Sequence, residues 1–260
     1  MAVDQRGFIA IPEFHGFQTA FETVVNDVVQ NLIEGNGTLI HSIYVYGSVA
    51  KARAQEAVSD LDLTIILNHE PSQIELDTMN SIQCKLEENH PVISKVDFDI
   101  GYLHEVMIPE NLHSWGYWLK HHCVCIYGHD LRNSIKPFKP SRSIALAVNG
   151  DFMSVLDGYI NQLTTTSDQA GVKRILRAAS RKVIRATSIL RQESDKDWPE
   201  TLEEHAKKFS DRYPALEEEM DYFLAMSDTP RGDIMVFSRR LQTFSYWLNA
   251  ESQSRSRSGL

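Results

Sequence analysis

The chain has 260 residues, enough for one large or two small domains with a sizeable buried core. Its apolar fraction of 42% and charged fraction of 23% are ordinary for a globular protein, and no apolar run is long enough to span a bilayer. The net charge of −9 speaks against nucleic acid as a partner and suits a small, cationic one.

Residues 1–12 read as a loose lead-in without the charged-then-apolar pattern of a secretory signal, so a cytoplasmic protein is expected. Over 14–34, Phe17, Phe21, Val24, Val25, Val28 and Leu32 recur at helical spacing, and Gly35-Asn36-Gly37 ends that helix. Residues 40–67 then read as strand, Gly-Ser turn, short helix or loop, and a second strand. Ile43 and Val45, then Leu61, Leu63, Ile65 and Leu67, give the alternation of half-buried strands. Gly47 lets the backbone approach a ligand closely, and Ser48 with the amides after it would open a helix whose start attracts phosphate. Asp60 and Asp62 are two apart on a strand, so both side chains leave one face. Two parallel carboxylates beside a phosphate-binding turn are what a pair of Mg²⁺ ions requires. Ser59, just ahead of them, either touches phosphate or metal-bound water or is a strand-entry hydroxyl.

A helix over 73–89 follows, with Ile74, Met79, Ile82 and Leu86 inward, and Pro91 ends that region. In 92–103, Val96, Phe98 and Ile100 alternate with Asp97 and Asp99, a strand whose carboxylate face could complete a metal site or supply a base. Residues 115–122 read as a short helix, 123–127 as a strand, and 134–140, with two prolines among lysines, as a linker. Beyond it, 141–164, 170–192, 201–209, 214–226 and 231–251 are helical by spacing. The final stretch, 252–260, is low in complexity and expected to be disordered. Three cysteines cannot all pair, and Cys123-x-Cys125 lacks the second half of a zinc site, so buried free thiols are expected.

Within 171–192, Arg174, Arg177, Arg181 and Arg185 step by three, four and four, a column of guanidinium groups on one helix face. Guanidinium forks suit phosphate oxygens, although a solvated basic face paired with Glu217, Glu218 and Glu219 would look the same.

Tyr46-Gly47-Ser48, a spacer, then Asp60-Leu61-Asp62-Leu63, flanked by strands, resemble the nucleotidyltransferase superfamily that includes DNA polymerase β. Aligned with that family's third strand, Val96-Asp97-Phe98 puts the third carboxylate at Asp97, with Asp99 second. In layout the chain is similar to the aminoglycoside adenylyltransferases of the streptomycin/spectinomycin type. That resemblance implies an α+β fold: a nucleotidyltransferase domain over 1–135, with a mixed sheet and flanking helices, and a helical bundle over 141–251. It implies a cleft holding ATP, magnesium and drug, and resistance to such drugs. Ser180-Arg181 matches a family pair that contacts nucleotide, and Lys196 falls close to a lysine that reaches phosphate. Two departures stand out. The family's third carboxylate is usually a glutamate, and its drug-holding tryptophan and acidic residues are reduced here to Asp168 alone within 163–171.

The reading is an enzyme that moves a nucleoside monophosphate, AMP from ATP by resemblance, onto a hydroxyl of a small substrate. Asp60 and Asp62 hold Mg²⁺, and Asp97 completes the metal site or takes the proton of the acceptor hydroxyl as base, while Gly47, Ser48, Ser59, Arg181 and Lys196 bind the nucleotide. A protein or RNA acceptor, as in toxin–antitoxin nucleotidyltransferases, and a nucleotide-binding module without turnover are the alternatives. Sequence leaves the natural acceptor and the oligomeric state open.

Overall fold

The structure, a computed structural model, describes residues 3–257. Helix α1 (Thr19–Asn36) leads into β1 (Ile40–Tyr46), a single helical turn α2 (Gly47–Ala50), and β2 (Leu61–Leu67). Helix α3 (Gln73–Asn89) crosses over to β3 (Val96–Tyr102), and α4 (Leu103–Met107) and α5 (Tyr117–His122) precede β4 (Val124–Gly128). The sheet order is β3-β2-β1-β4, with β2–β3 parallel and both pairs made by β1 antiparallel. A parallel pair needs a crossover, and α3 supplies it. A capping box sets its start: Ser72 accepts from the Glu75 N–H, and Glu75 Oε2 accepts from the Ser72 N–H at 2.7 Å.

The alternation in β1 and β2 divides the sheet into two faces. Ile43, Val45, Leu61, Leu63, Ile65 and Val96 join Phe21, Val24, Val28 and Leu32 of α1 and Met79 and Leu86 of α3 in one buried cluster. Each such side chain contributes about 1.5–3 kcal/mol of transfer free energy. On the other face Tyr44 and Ile66 pack with Val106, Leu119, Cys123 and Leu131. That second face also carries Asp62, Asp97 and Asp99, because strand residues two apart share a side.

Within the sheet-bearing part of the chain, three expectations change. Helix α1 begins at Thr19, five residues late, and Phe14 is 43% exposed. Ile74 opens α3 but is 78% exposed, because the buried stripe begins only at Met79. Cys84 is exposed and only Cys123 is fully buried.

The chain divides into two compact units, Ala10–Phe138 and the rest of the described chain, in which the first residues join the helical part. There the lead-in forms a Val3–Ile9 bridge, and Lys139 Nζ lies 5.2 Å from the Phe8 ring centroid. The predicted helix over 141–164 is two, α6 (Arg142–Asn149) and α7 (Phe152–Thr165), broken at Gly150-Asp151. Helix α8 (Gln169–Ala186) passes into a 3₁₀ turn, Thr187–Leu190, rather than continuing to 192. Helices α9 (Leu202–Arg212), α10 (Glu217–Asp228) and α11 (Ile234–Arg257) complete the unit around Leu156, Leu176, Val183, Phe209, Phe223, Phe237 and Phe244.

The stretch expected to be disordered is helical as far as Arg257; 258–260 lie outside the described residues. Arg255 ties it down, donating to Tyr213 Oη at 2.6 Å and the Leu190 carbonyl at 3.0 Å and pairing with Glu251 at 3.0 Å. Among the described residues no helix is long and apolar enough to cross a membrane.

His205, half-buried on α9, has its pKa lowered to about 4, first by burial and then by the Arg185 charge. The unfolded chain takes up this proton near pH 6.5 and the folded chain only near 4. Stability is therefore lost as pH falls through that window and is flat below it. Urea melts at pH 7.5 and 5.0 should show a loss on the order of 1 kcal/mol from this group, which His205→Gln removes.

Candidate active site

Where β1 ends, Gly47 adopts φ +72°, a conformation that costs other residues about 1 kcal/mol or more. Tyr46 is paired with Asp62 across the sheet, and a Cβ on Gly47 would collide with Asp62 Oδ2. Glycine therefore does two things: it turns the chain into α2 and lets that turn lie directly against the carboxylate. Asp62 in turn is the Cα partner of Asp97 in the parallel β2–β3 pair. Asp60 stands just ahead of β2 and accepts a short hydrogen bond from the Ser94 hydroxyl.

Lys95 is the cation among these acids. Its Nζ lies 2.5 Å from Asp97 Oδ2 and 3.9 Å from Asp60 Oδ2. All three side chains are about 40% exposed, so a solute can reach the group. The Asp62 carboxyl is pushed up to about 7, first by burial and then by the charges of Asp60 and Asp97, with Lys95 offsetting part of the repulsion. Burial works against the charge on Lys95, but its hydrogen bond to Asp97 and the surrounding carboxylates outweigh it and raise its pKa.

Asp99 has a different partner. It is in register with Thr64 and accepts from Tyr46 Oη at 2.6 Å. Burial and then this bond hold the Tyr46 phenol protonated, far above its ordinary range. The Tyr46 ring packs edge-on against Trp118 at 4.7 Å. Trp118 donates to Thr64 Oγ1 at 3.0 Å and stacks on His122 at 4.8 Å. The two candidate third carboxylates are thus distinguished: Asp97 faces Asp62 and Lys95, and Asp99 anchors an aromatic wall.

The loop between turn and carboxylates is pinned at several points. Ala52 and Ala57 have positive φ (50° and 58°), each at a cost of about 1 kcal/mol. The Arg53 N–H donates to the Ser48 carbonyl at 2.9 Å, and the Ala57 N–H donates to that of Val92 at 2.7 Å. Gln18 grips Ala54 through both its N–H, at 2.8 Å, and its carbonyl, at 3.2 Å. The Ser59 hydroxyl accepts from the Gln55 N–H at 2.9 Å, which places it in loop closure.

In the helical unit, Arg181 is exposed on α8 and Lys196 is exposed on the loop between the 3₁₀ turn and α9. Ser180 is fully buried and donates to the Leu176 carbonyl at 2.8 Å, so its hydroxyl faces its own helix. Arg177 donates to the Asp228 carbonyl at 3.0 Å, and Glu219 pairs with Arg240 at 3.0 Å, not with the arginine column. Asp168 caps α8, accepting from the Gly171 N–H at 2.6 Å.

Among the described residues no three or more His, Cys, Asp or Glu side chains are arranged to hold a metal ion. The donor set nonetheless suits Mg²⁺ chemically. Its ligands are all hard oxygens, its carboxylates repel one another, and the cation beside them is a lysine, which a divalent ion can replace. Sequence reasoning missed Ser94 and Lys95. Lys95 could have been found, since Lys95, Asp97 and Asp99 alternate onto one face by the same period of two.

No family model matches the chain, and no curated protein matches it. Among solved structures, the spectinomycin adenyltransferase AAD(9) from Enterococcus faecialis, with ATP and spectinomycin, matches with a TM-score of 0.52 and 14% identity. The match covers 85% of this chain and 98% of that one. The fold, a mixed sheet with flanking helices followed by a helical region, is therefore similar to that of this adenyltransferase.

Two stability measurements check this geometry. Asp62→Asn, melted with EDTA at pH 8, should gain about 1 kcal/mol, because one repelling charge is gone. Gly47→Ala should lose about 2 kcal/mol or more, from the positive φ and the collision with Asp62.

Proposed function

We propose that the protein is a Mg²⁺-dependent nucleotidyltransferase that moves AMP from ATP onto a hydroxyl of a small, cationic substrate such as an aminoglycoside, releasing pyrophosphate. The observation that carries this reading is the grouping of Asp60, Asp62 and Asp97 beside the Gly47-Ser48 turn. The fold likeness supports it, and the net charge of −9 favours a cationic acceptor.

Asp60, Asp62 and Asp97 would hold magnesium, which when bound neutralises triphosphate charge. Gly47 and Ser48 present backbone amides to phosphate oxygens. Asp97 Oδ2, now held by Lys95, receives the proton of the acceptor hydroxyl once the lysine lets go. The acceptor oxygen forms a bond to the α-phosphorus as the bond to pyrophosphate breaks. Arg181 and Lys196, assigned by resemblance, would bear pyrophosphate charge. Ser59 contributes through the loop it closes more than by contact. Domains over 1–135 and 141–251 would divide this work, with the acid cluster in the first. Positioning and charge neutralisation account for the rate.

The test is α-labelled ATP and Mg²⁺ with an aminoglycoside panel and total protein and RNA. Label on a drug is expected. Label on a macromolecule gives the toxin–antitoxin reading, and nucleotide binding without turnover gives the regulatory one. Asp60→Asn should lower transfer by about a hundredfold or more with melting unchanged or raised; a variant keeping most of its rate would remove the metal role.

A further inference from the structure

Lys95 ends the loop before β3, and its backbone is held on both sides. The Leu61 N–H donates to the Lys95 carbonyl at 2.9 Å, and the Ser94 N–H donates to the Ser59 carbonyl at 3.0 Å. The next N–H, that of Val96, donates to Glu87 Oε1 at 2.8 Å. What remains free to move is the four-carbon stem of the lysine, which is 41% exposed.

That stem ends among carboxylates. Nζ lies 2.5 Å from Asp97 and 3.9 Å from Asp60, and the Asp62 charge acts on it as well. These are the three side chains proposed above to hold magnesium, so the inference rests on that reading. An ammonium group has donors only, and a divalent ion on the same oxygens repels it at close range. Lys95 must therefore leave Asp97 when magnesium is held there.

It leaves with its charge but without its partners. The pinned backbone keeps it inside the site, where a half-buried cation without an anion costs free energy. Asp99, the remaining acid of β3, already accepts from Tyr46 Oη. The anion that enters with the metal is the triphosphate. The Gly47-Ser48 turn that would receive it lies directly against Asp62, whose carboxylate feels the Lys95 charge. Acceptor attack beside Asp97 puts the α-phosphate nearest to the released lysine.

We propose that Lys95 is a substrate-binding residue that exchanges Asp97 for a non-bridging oxygen of the α-phosphate when ATP and magnesium bind. The exchange frees Asp97 Oδ2 for the acceptor proton. It also sets a cation on the oxygens that carry charge in the transition state.

The first test is calorimetric binding of the two α-phosphorothioate diastereomers of ATP, with Mg²⁺ and no acceptor. Lys95→Met should bind both about tenfold more weakly or worse, and unequally, shifting their ratio by about threefold or more. Equal weakening means that Lys95 acts only through its field, and no weakening that it does not act; either overturns the proposal. A wild type that binds neither ATP nor these analogues removes the nucleotidyl reading and this inference together. The second test needs no variant. Acetylation of Lys95 by sulfosuccinimidyl acetate, followed by mass spectrometry, should quicken in saturating Mg²⁺ alone. It should slow again when ATP, but not adenosine, is added. A rate with Mg²⁺ and ATP as high as with Mg²⁺ alone overturns the proposal.

Discussion

Mutual repulsion of carboxylates is the constraint around which the N-terminal unit is built. Left to themselves, Asp60, Asp62 and Asp97 would separate in water. The parallel register of β2 and β3 forbids it, because Asp62 and Asp97 are paired across adjacent strands. The cost is met by ordinary core: the opposite face of the same strands buries Leu61, Leu63, Ile65 and Val96 at no measurable exposure. Strand residues thus serve two masters by alternation, one face supplying transfer free energy and the other spending part of it on charge.

Local conformation serves the same end. Gly47 closes the turn against Asp62, and the following loop tolerates two alanines with positive φ because Gln18, Val92 and Ser59 fix it by hydrogen bonds. Strain of this kind persists where surroundings over-determine the backbone, and it gathers at sites of chemistry. The aromatic wall of Tyr46, Trp118 and His122 holds the neighbouring carboxylate, Asp99, in a hydrogen bond.

What the sequence made legible was what depends on short-range periodicity. The strands, the Gly-Ser turn and the pair of aspartates all follow from spacing over a few residues. What it hid depends on partners far away in the chain. Ile74 fits the helical stripe of α3, yet nothing covers that end of the helix. The serine- and arginine-rich end of α11 looks like a solvated tail by composition. It is ordered because Arg255 finds Tyr213 and a carbonyl at residue 190, neither predictable from local pattern. Ser180 matched a motif by identity, but its phase on α8 turns it inward. Lys95 was legible too, because the alternation that marks Asp97 and Asp99 extends back to it.

That lysine has a further consequence. It is tethered two residues ahead of Asp97, just before β3 begins, so it never diffuses away and acts at a high effective concentration. A divalent ion of the kind proposed for this site would have to displace a resident, covalently attached rival, which weakens its apparent affinity by a constant factor. Changing the reach of that one side chain would change the factor while leaving Asp60, Asp62 and Asp97 untouched.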